Sequence, residues 1–117
     1  MKSREVEPLV REWFHWLHEH PELGFEEVTT AAFVEEKLRS LGKREVRRIG
    51  ATGVLGILKT GKPGRTVAFR ADMDALPITE SEEHQVSSRN KGVMHACGHD
   101  GHTATLLGAA KFFADIK

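Results

Sequence analysis

The sequence predicts one α/β domain whose elements follow in the order ααβββα. Two observations carry this prediction. Three stretches place apolar residues at helical spacing, and three short β-prone runs lie between the second and third of these stretches. The chain has 117 residues, of which 39% are hydrophobic. This length and composition suit a single globular domain with a modest core.

Two helices are predicted in the first 42 residues. The apolar positions of the first are Val6, Leu9, Val10, Trp13, Phe14 and Leu17, and those of the second are Ala31, Val34, Leu38 and Leu41. We expect the first helix to use Ser3 as its N-cap and to run to about His18, before Pro21. The second helix is expected to close at Gly42, since glycine readily adopts the conformation that follows a helix.

Three strands and a last helix follow. The β-prone runs are EVRRI at 45–49, GVLGILK at 53–59 and RTVAFRA at 65–71. The turn-rich TGKPG joins the last two runs, which are therefore expected to form a hairpin. Helical spacing returns from Thr103 onwards, with apolar positions at Leu106, Leu107, Ala110 and Phe113.

The charge balance and hydropathy exclude several classes of partner. Seventeen basic and seventeen acidic side chains cancel, and no basic stripe indicates a nucleic-acid-binding surface. No apolar run reaches the roughly 18 residues that span a bilayer, and the charged start MKSREVEPLVRE does not resemble a signal peptide. We therefore expect a cytoplasmic protein with a small-molecule or protein partner, without nucleic acid or a membrane.

Two motifs lie at the ends of predicted elements, where sites are commonly built in α/β folds. FRADMDALP at 69–77 leaves a strand, and HACGHDGH at 95–102 enters a helix. In an extended Cys-Gly-His run, the side chains of Cys97 and His99 would point to the same side and could bind one cation. The positive end of the following helix would favour the thiolate of Cys97.

Each of these residues also has a structural interpretation. Cys97 is the only cysteine and cannot form an internal disulfide, so it is a buried small hydrophobic residue, a reactive thiol or a ligand. Asp72 and Asp74 are either turn formers before Pro77 or carboxylates that hold metal ligands in place. Solvated or capping roles are expected for the histidines near the first helix, which are His15, His18 and His20.

Four stretches together resemble a known family and cover almost the whole chain. They are HEHPELGFEEVTTAAFVEEKLRSLG, ATGV, RADMDALPI and GVMHACGHDGHTATLLGAAK. The sequence resembles the N-terminal part of the metal-dependent amidohydrolases, which include hippurate hydrolase, N-acyl-amino-acid amidohydrolase and the auxin-conjugate hydrolases. Aminoacylase and carboxypeptidase G belong to the wider superfamily. RADMDALP and HACGHDGH, in this order and about 20 residues apart, make the resemblance highly specific.

The resemblance implies a three-layer α/β/α domain of the zinc-exopeptidase kind. It also implies two divalent metal ions, of manganese, zinc, cobalt or nickel, whose bridging water attacks the amide carbonyl of an N-acyl amino acid. By motif position, Cys97 and His99 match two metal ligands, and Asp74 matches the active-site aspartate that orients a ligand. The wider superfamily has a histidine ligand where this chain has Asp72. Residues expected to support the ligands or to face substrate are Asp72, His95, Asp100 and His102.

The resemblance further implies parts of the enzyme beyond this chain. In the family, a proton-shuttling glutamate, a glutamate ligand and two histidine ligands follow the third helix, and a lid domain is inserted. We therefore expect residues 1–117 to be the N-terminal part of the catalytic domain, without the lid or the C-terminal part, and inactive alone. The full-length enzyme is expected to be a homo-oligomer acting on a small N-acyl amino acid or a peptide-like substrate.

Two other functions remain open from the residues. One is a non-enzymatic metal-binding or assembly module. The other is a thiol hydrolase that uses Cys97 and a nearby histidine, although the C-x-H spacing suits shared metal ligation better than a nucleophile and its base.

Overall fold

The computed structural model describes residues 3–42 and 45–116. It contains helix α1 at Glu7–Glu19, helix α2 at Val28–Ser40, strand β1 at Glu45–Ile49, strand β2 at Gly53–Ile57 and helix α3 at His99–Ile116. A short 3-10 turn at Ser3–Val6 precedes α1. The α/β class is confirmed, with one strand fewer among the described residues than the sequence predicts.

Helix α1 buries Trp13 and Leu17 and ends where the amide of His20 bonds back to the carbonyls of Trp16 and Leu17. Its N-cap position is Val6 and its first turn contains a proline, so the expectation of Ser3 as N-cap is wrong. The residue Ser3 instead begins the 3-10 turn, which shifts the start of α1 by one turn.

Helix α2 begins three residues before the first apolar position of its predicted pattern. The Glu22 carboxylate accepts hydrogen bonds from the amides of Thr29, at 3.0 Å, and Thr30, at 2.5 Å. These amides have no partner within the helix, and an acidic group there also complements the helix dipole. Glu22 therefore stabilises a first turn that periodicity alone did not indicate. The predicted close at Gly42 is confirmed, since its φ is +97°.

Strands β1 and β2 form an antiparallel hairpin in which Glu45 pairs with Ile57 and Ile49 with Gly53. The hairpin therefore joins the first two predicted strands, and the expected pairing of 53–59 with 65–71 is wrong. Glycine is required at the start of β2, because a Cβ on Gly53 would lie 2.6 Å from the carbonyl oxygen of Ile49. The hairpin packs on α2.

The predicted third strand, 65–71, does not pair with any described residue. Its apolar side chains face solvent, with Val67 70% exposed and Phe69 62% exposed. A strand needs a neighbour for its backbone hydrogen bonds, and no segment of the described chain pairs with this one through its backbone. Local β-propensity was therefore insufficient to form the strand.

Helix α3 starts at His99, four residues before the predicted Thr103. The preceding Gly98 has a φ of +86°, a conformation that L-residues rarely adopt, and the chain turns there directly into the helix. The expectation of an extended Cys-Gly-His run is therefore wrong. Cys97 lies before the turn, and His99 lies in the first turn of α3.

The core lies between the helices and the hairpin. Helices α1 and α3 pack against each other, while α2 contacts both α3 and the hairpin. The buried cluster comprises Trp13, Leu17, Phe33, Val34, Leu38, Val46, Ala104 and Leu107. Within the described residues, no helix combines the length and apolarity needed to cross a membrane.

Candidate metal centre

The backbone brings the two sequence motifs together. The amide of Leu76 donates to the carbonyl of Met94 at 2.9 Å, and the amide of Met94 donates back to Leu76 at 2.9 Å. The amide of Ala75 donates to the carbonyl of Glu22 at 2.8 Å. These bonds hold the RADMDALP segment between the loop after α1 and the segment that leads into α3.

Asp74 and His99 form the central contact of the site. Nδ1 of His99 lies 2.9 Å from the Asp74 carboxylate Oδ1 and 3.0 Å from the Asp74 carbonyl oxygen. Both partners are acceptors, so the network places a proton on Nδ1 and leaves the lone pair of the neutral imidazole on Nε2. A histidine that ligates a metal through one nitrogen commonly donates its other N–H to a carboxylate. Asp74 therefore orients the ring of His99 so that Nε2 is available to bind a metal ion.

Asp72 lies on the other side of the same imidazole. Its Oδ2 is 4.0 Å from Nε2 of His99, and its Oδ1 accepts a 2.6 Å hydrogen bond from Arg70. The hydroxyl of Thr103, in α3, donates to the Asp72 carbonyl at 2.9 Å. The RADMDALP motif is thus held to the first turns of α3 at two points, through Asp72 and through Asp74.

Cys97 is exposed and is not engaged in any hydrogen bond or ion pair with another described residue. This exposure rules out the interpretation of Cys97 as a buried hydrophobic residue. The structure also gives no support to a thiol hydrolase, because the neighbouring His99 uses Nδ1 to bind Asp74 and no described histidine is hydrogen-bonded to the thiol. A metal-binding thiol remains the interpretation that fits the surroundings.

His95 is buried, with 5% of its surface exposed, and both of its ring nitrogens lack a hydrogen-bond partner. Burial, together with the positive charge of nearby histidines, lowers its pKa although Asp100 and Asp74 oppose this effect. A buried imidazole without partners is costly, because it has given up water at both nitrogens. His95 lies two residues before Cys97 in the chain, so its imidazole belongs to the same segment as the predicted ligands.

Asp100 hydrogen-bonds to His18 and not to Cys97 or His99, and its predicted supporting role stays a prediction. Its Oδ2 lies 2.7 Å from Nδ1 of His18, and its Oδ1 accepts the amide of Gly101 at 2.8 Å. Nε2 of His18 lies 2.6 Å from Oε2 of Glu80. His18 therefore joins two buried carboxylates across three segments of the chain. His102 is exposed, with its ring centroid 5.9 Å from that of His99.

The carboxylates around His18 raise its pKa. Burial by itself would lower the pKa of His18, but its hydrogen bonds to Glu80 and Asp100 and their charges raise that pKa above its usual value. Burial would raise the pKa of Glu80, yet hydrogen bonds from His84, His18 and the Ser88 amide lower it to about 2. The cluster therefore places the His18 imidazole between two carboxylates that favour its protonated form.

Sequence reasoning assigned a solvated or capping role to His18 and no role to Glu80. The partners of His18 are 62 and 82 residues away along the chain, and no spacing rule connects positions so far apart. The position of His18 in the last turn of α1, ahead of the HPELG loop, is the only local signal.

Comparisons with known proteins agree with this arrangement. A sequence model of peptidase family M20/M25/M40 matches residues 68–117, which include both motifs. The N-acyl-L-amino acid amidohydrolase of Geobacillus stearothermophilus is 54% identical over 124 residues, which cover 100% of this chain and 34% of that protein. The hippurate hydrolase of Campylobacter jejuni is 51% identical over 100 residues, which cover 86% of this chain and 26% of that protein.

The fold is shared with a solved protein of the M20 family. The crystal structure of the Bacillus subtilis YXEP protein, a dinuclear metal binding peptidase, superposes with a TM-score of 0.87 at 37% identity. The match covers 96% of this chain and 32% of that one. The chain is therefore similar in sequence and in fold to members of the M20 peptidase family. It spans about a third, or less, of the length of the M20 relatives that it matches.

The described residues fit the divalent metal ions of an M20 site. A thiol at Cys97 and an imidazole at His99 are donors that zinc and neighbouring transition metals accept. The Asp74 contact leaves Nε2 of His99 available, and both ring nitrogens of the buried His95 lack a hydrogen-bond partner. Two such donors are fewer than the three protein ligands of a typical catalytic zinc.

Proposed function

We propose that the protein containing this chain hydrolyses the amide bond of N-acyl amino acids, and that this chain supplies part of its metal site. Cys97 and His99 are the proposed ligands, and Asp74 is the residue that orients His99. The observation that carries the proposal is the contact between Asp74 and Nδ1 of His99, at 2.9 Å, which leaves Nε2 for an ion. The names of the matched relatives support the substrate class.

Divalent ions in such a site would polarise the amide carbonyl and lower the pKa of a bound water. The residues of this chain perform the supporting tasks. Asp74 fixes the ring of His99 and holds its Nδ1 proton, while Thr103 ties the Asp72 backbone to α3. The carboxylate of Asp72, 4.0 Å from Nε2 of His99, keeps the surroundings of that nitrogen negative and so favours a cation.

We extend the proposal to the metal and the assembly. Manganese, zinc, cobalt and nickel all accept mixed sulfur, nitrogen and oxygen donors, and the pair Cys97 and His99 favours the thiophilic members of this set. The substrate is a small molecule, and the complete enzyme forms homo-oligomers.

The test uses the product of the complete reading frame, assayed with hippurate and N-acetyl amino acids. Activity and bound metal, measured by elemental analysis, should both fall in the Cys97→Ala and His99→Ala variants. The matched control is His15→Ala, which removes an exposed imidazole from α1. Full activity of both site variants would overturn the assignment.

Residues 1–117 alone should show no appreciable amidase activity, even with manganese added. Two ligands cannot hold a dinuclear centre, and a missing general base costs about 10²- to 10⁴-fold in rate. Turnover within about tenfold of the complete enzyme would contradict this division of the site. Stoichiometric metal without hydrolysis in the complete protein would instead support a metal-binding module.

A further inference from the structure

Glu80 receives two imidazoles at one carboxylate oxygen. Nε2 of His18 and Nδ1 of His84 each lie 2.6 Å from Oε2 of Glu80. One ligand atom from each of these three side chains lies within 4.8 Å of the other two. No other group of three or more metal-ligating side chains is found among residues 3–42 and 45–116. The predicted pair Cys97 and His99 is not part of this cluster.

We propose that His18, Glu80 and His84 form a second site for a divalent transition-metal ion, such as zinc. The ligands are Nε2 of His18, the Glu80 carboxylate and Nδ1 of His84. Two imidazoles and one carboxylate are a donor set that zinc accepts, with water in the fourth position. The site is distinct from the one at Cys97 and His99.

The surroundings of His18 are those of a metal ligand. Its other nitrogen, Nδ1, lies 2.7 Å from Oδ2 of Asp100, a residue that is 3% exposed. A carboxylate behind a histidine fixes the ring, selects the tautomer and makes the opposite nitrogen a better ligand. Asp100 is itself held by the amide of Gly101 at 2.8 Å. The hydrogen bonds that orient His18 therefore exist without a bound ion.

Glu80 is equally well prepared. Its second oxygen, Oε1, accepts the amide of Ser88 at 2.6 Å, and its side chain is 5% exposed. The loop that carries it is fastened to the end of α1, where the Arg89 amide donates to the Glu19 carbonyl at 2.9 Å. A ligand held by such contacts loses little freedom on binding.

The exposure of the three side chains gives the ion a route. Those of His18 and Glu80 are 13% and 5% exposed, whereas that of His84 is 47% exposed. Tetrahedral zinc, with ligands near 2.0–2.1 Å, separates its ligand atoms by about 3.3 Å. The present 2.6 Å contacts must therefore open slightly, and His84 is the side chain free to move towards solvent.

Proton balance gives the proposal a further signature. The ion would replace the proton on Nε2 of His18, which would leave to solvent, while Nδ1 of His18 keeps the proton that faces Asp100. A neutral His84 would bind the ion through Nδ1 with its single proton on Nε2.

The experiment is a cobalt and zinc titration of the chain carrying Cys97→Ala, so that no thiolate can contribute. Cobalt should bind at one equivalent and give visible bands without thiolate charge transfer, and zinc should displace it. Adding His84→Ala should weaken binding by about tenfold or more, since a ligand is lost. His84 is half exposed, so this variant should fold, which circular dichroism checks.

His15→Ala, in the same Cys97→Ala background, is the matched control and should leave the affinity unchanged. Equal affinity with and without His84 would overturn the proposal, as would an absence of cobalt binding near neutral pH. Either result would leave His18 as a proton-bearing clamp between two carboxylates. Hydrolysis plays no part in these readouts, so they are independent of the proposed amidohydrolase activity.

Discussion

At the scale of single residues, His18 shows how partners decide the role of a side chain. It bonds to Glu80 and Asp100 through its two ring nitrogens, and its side chain is 13% exposed. A histidine on an isolated helix would be solvated and half protonated near its ordinary pKa. Here the two carboxylates favour its charged form, and the cluster joins α1, the loop after Pro77 and α3.

This cluster predicts a specific dependence of stability on pH. The pKa of His18 is raised above 6.5, so its contribution is complete below about pH 6.5 and is lost as the pH rises through the raised value. The pKa of Glu80 is lowered from 4.5 to about 2, so its contribution is complete above about pH 4.5 and is lost as the pH falls towards 2. The cluster therefore stabilises the fold most between these limits.

Glu80→Gln should lower the free energy of unfolding by about 1.5–3 kcal/mol at pH 6, because charge-assisted hydrogen bonds are lost. The loss of stability between pH 4.5 and 2 should also become shallower than in the parent chain. Urea unfolding in the presence of a chelator measures both effects. Glu82→Gln, at an exposed position, is the control, and equal curves for the two variants would count against the cluster.

Asp74→Asn tests the orientation of His99 in the complete protein. The amide retains the size of the carboxylate but loses the charge that holds the Nδ1 proton. We expect metal affinity to fall by about 10- to 100-fold, as measured by competition with a chelator. Asp115→Asn removes an exposed helical ion pair with Lys111 and should leave the affinity unchanged. Unchanged affinity in Asp74→Asn would show that another group orients the ring.

At the scale of elements, the packing of α1 on α3 depends on a glycine. A Cβ on Gly108 would clash with Cγ2 of Val10, a β-branched side chain with little rotamer freedom. α3 carries His99, Asp100 and Thr103 in its first turns, so this close approach also positions the site. The distance between the two helices is thus set by a residue that periodicity treats as neutral.

Gly108→Ala should therefore lower the free energy of unfolding by about 1–3 kcal/mol through overpacking. Val10→Ala in the same chain should recover part of that loss, so that the two changes are not additive. Gly101→Ala is the matched control in α3, since no atom lies within 4 Å of a Cβ there. Additive effects of the first two substitutions would show that the helices do not approach as described.

At the scale of the whole molecule, the segment 65–71 leaves apolar groups in solvent. Val67 and Phe69 are 70% and 62% exposed, and Phe69 stacks only on Phe113, itself 40% exposed. An extended segment with free backbone groups and apolar side chains is a template for pairing with another chain. This surface is where a neighbouring strand would lie in a larger sheet.

Residues 1–117 alone should therefore self-associate, as size-exclusion chromatography with light scattering would show. Val67→Gln should reduce the association, because it makes the pairing surface polar without changing the net charge. Val28→Gln is the control, because Val28 is 69% exposed but lies on helix α2, outside the segment 65–71. A monomer at all concentrations, or equal effects of both substitutions, would contradict the prediction.

The sequence by itself determined the features that depend on neighbouring residues. Helical periodicity predicted α1 and α2, and glycine at position 42 predicted the end of α2, because both express local backbone preferences. The motifs RADMDALP and HACGHDGH marked the segments that meet at the site, since their residue types carry the chemistry. The roles of Cys97 and His99 as ligands stay predictions.

Tertiary structure decided everything that depends on distant partners. The segment 65–71 has β-propensity but no neighbour to accept its hydrogen bonds, so it remains unpaired, while β1 and β2 pair across a tight turn. His99 gains its orientation from Asp74, 25 residues away, and His18 gains its raised pKa from Glu80 and Asp100. Such contacts form only when the packing of α1 on α3 brings the segments together, and no local pattern encodes that distance.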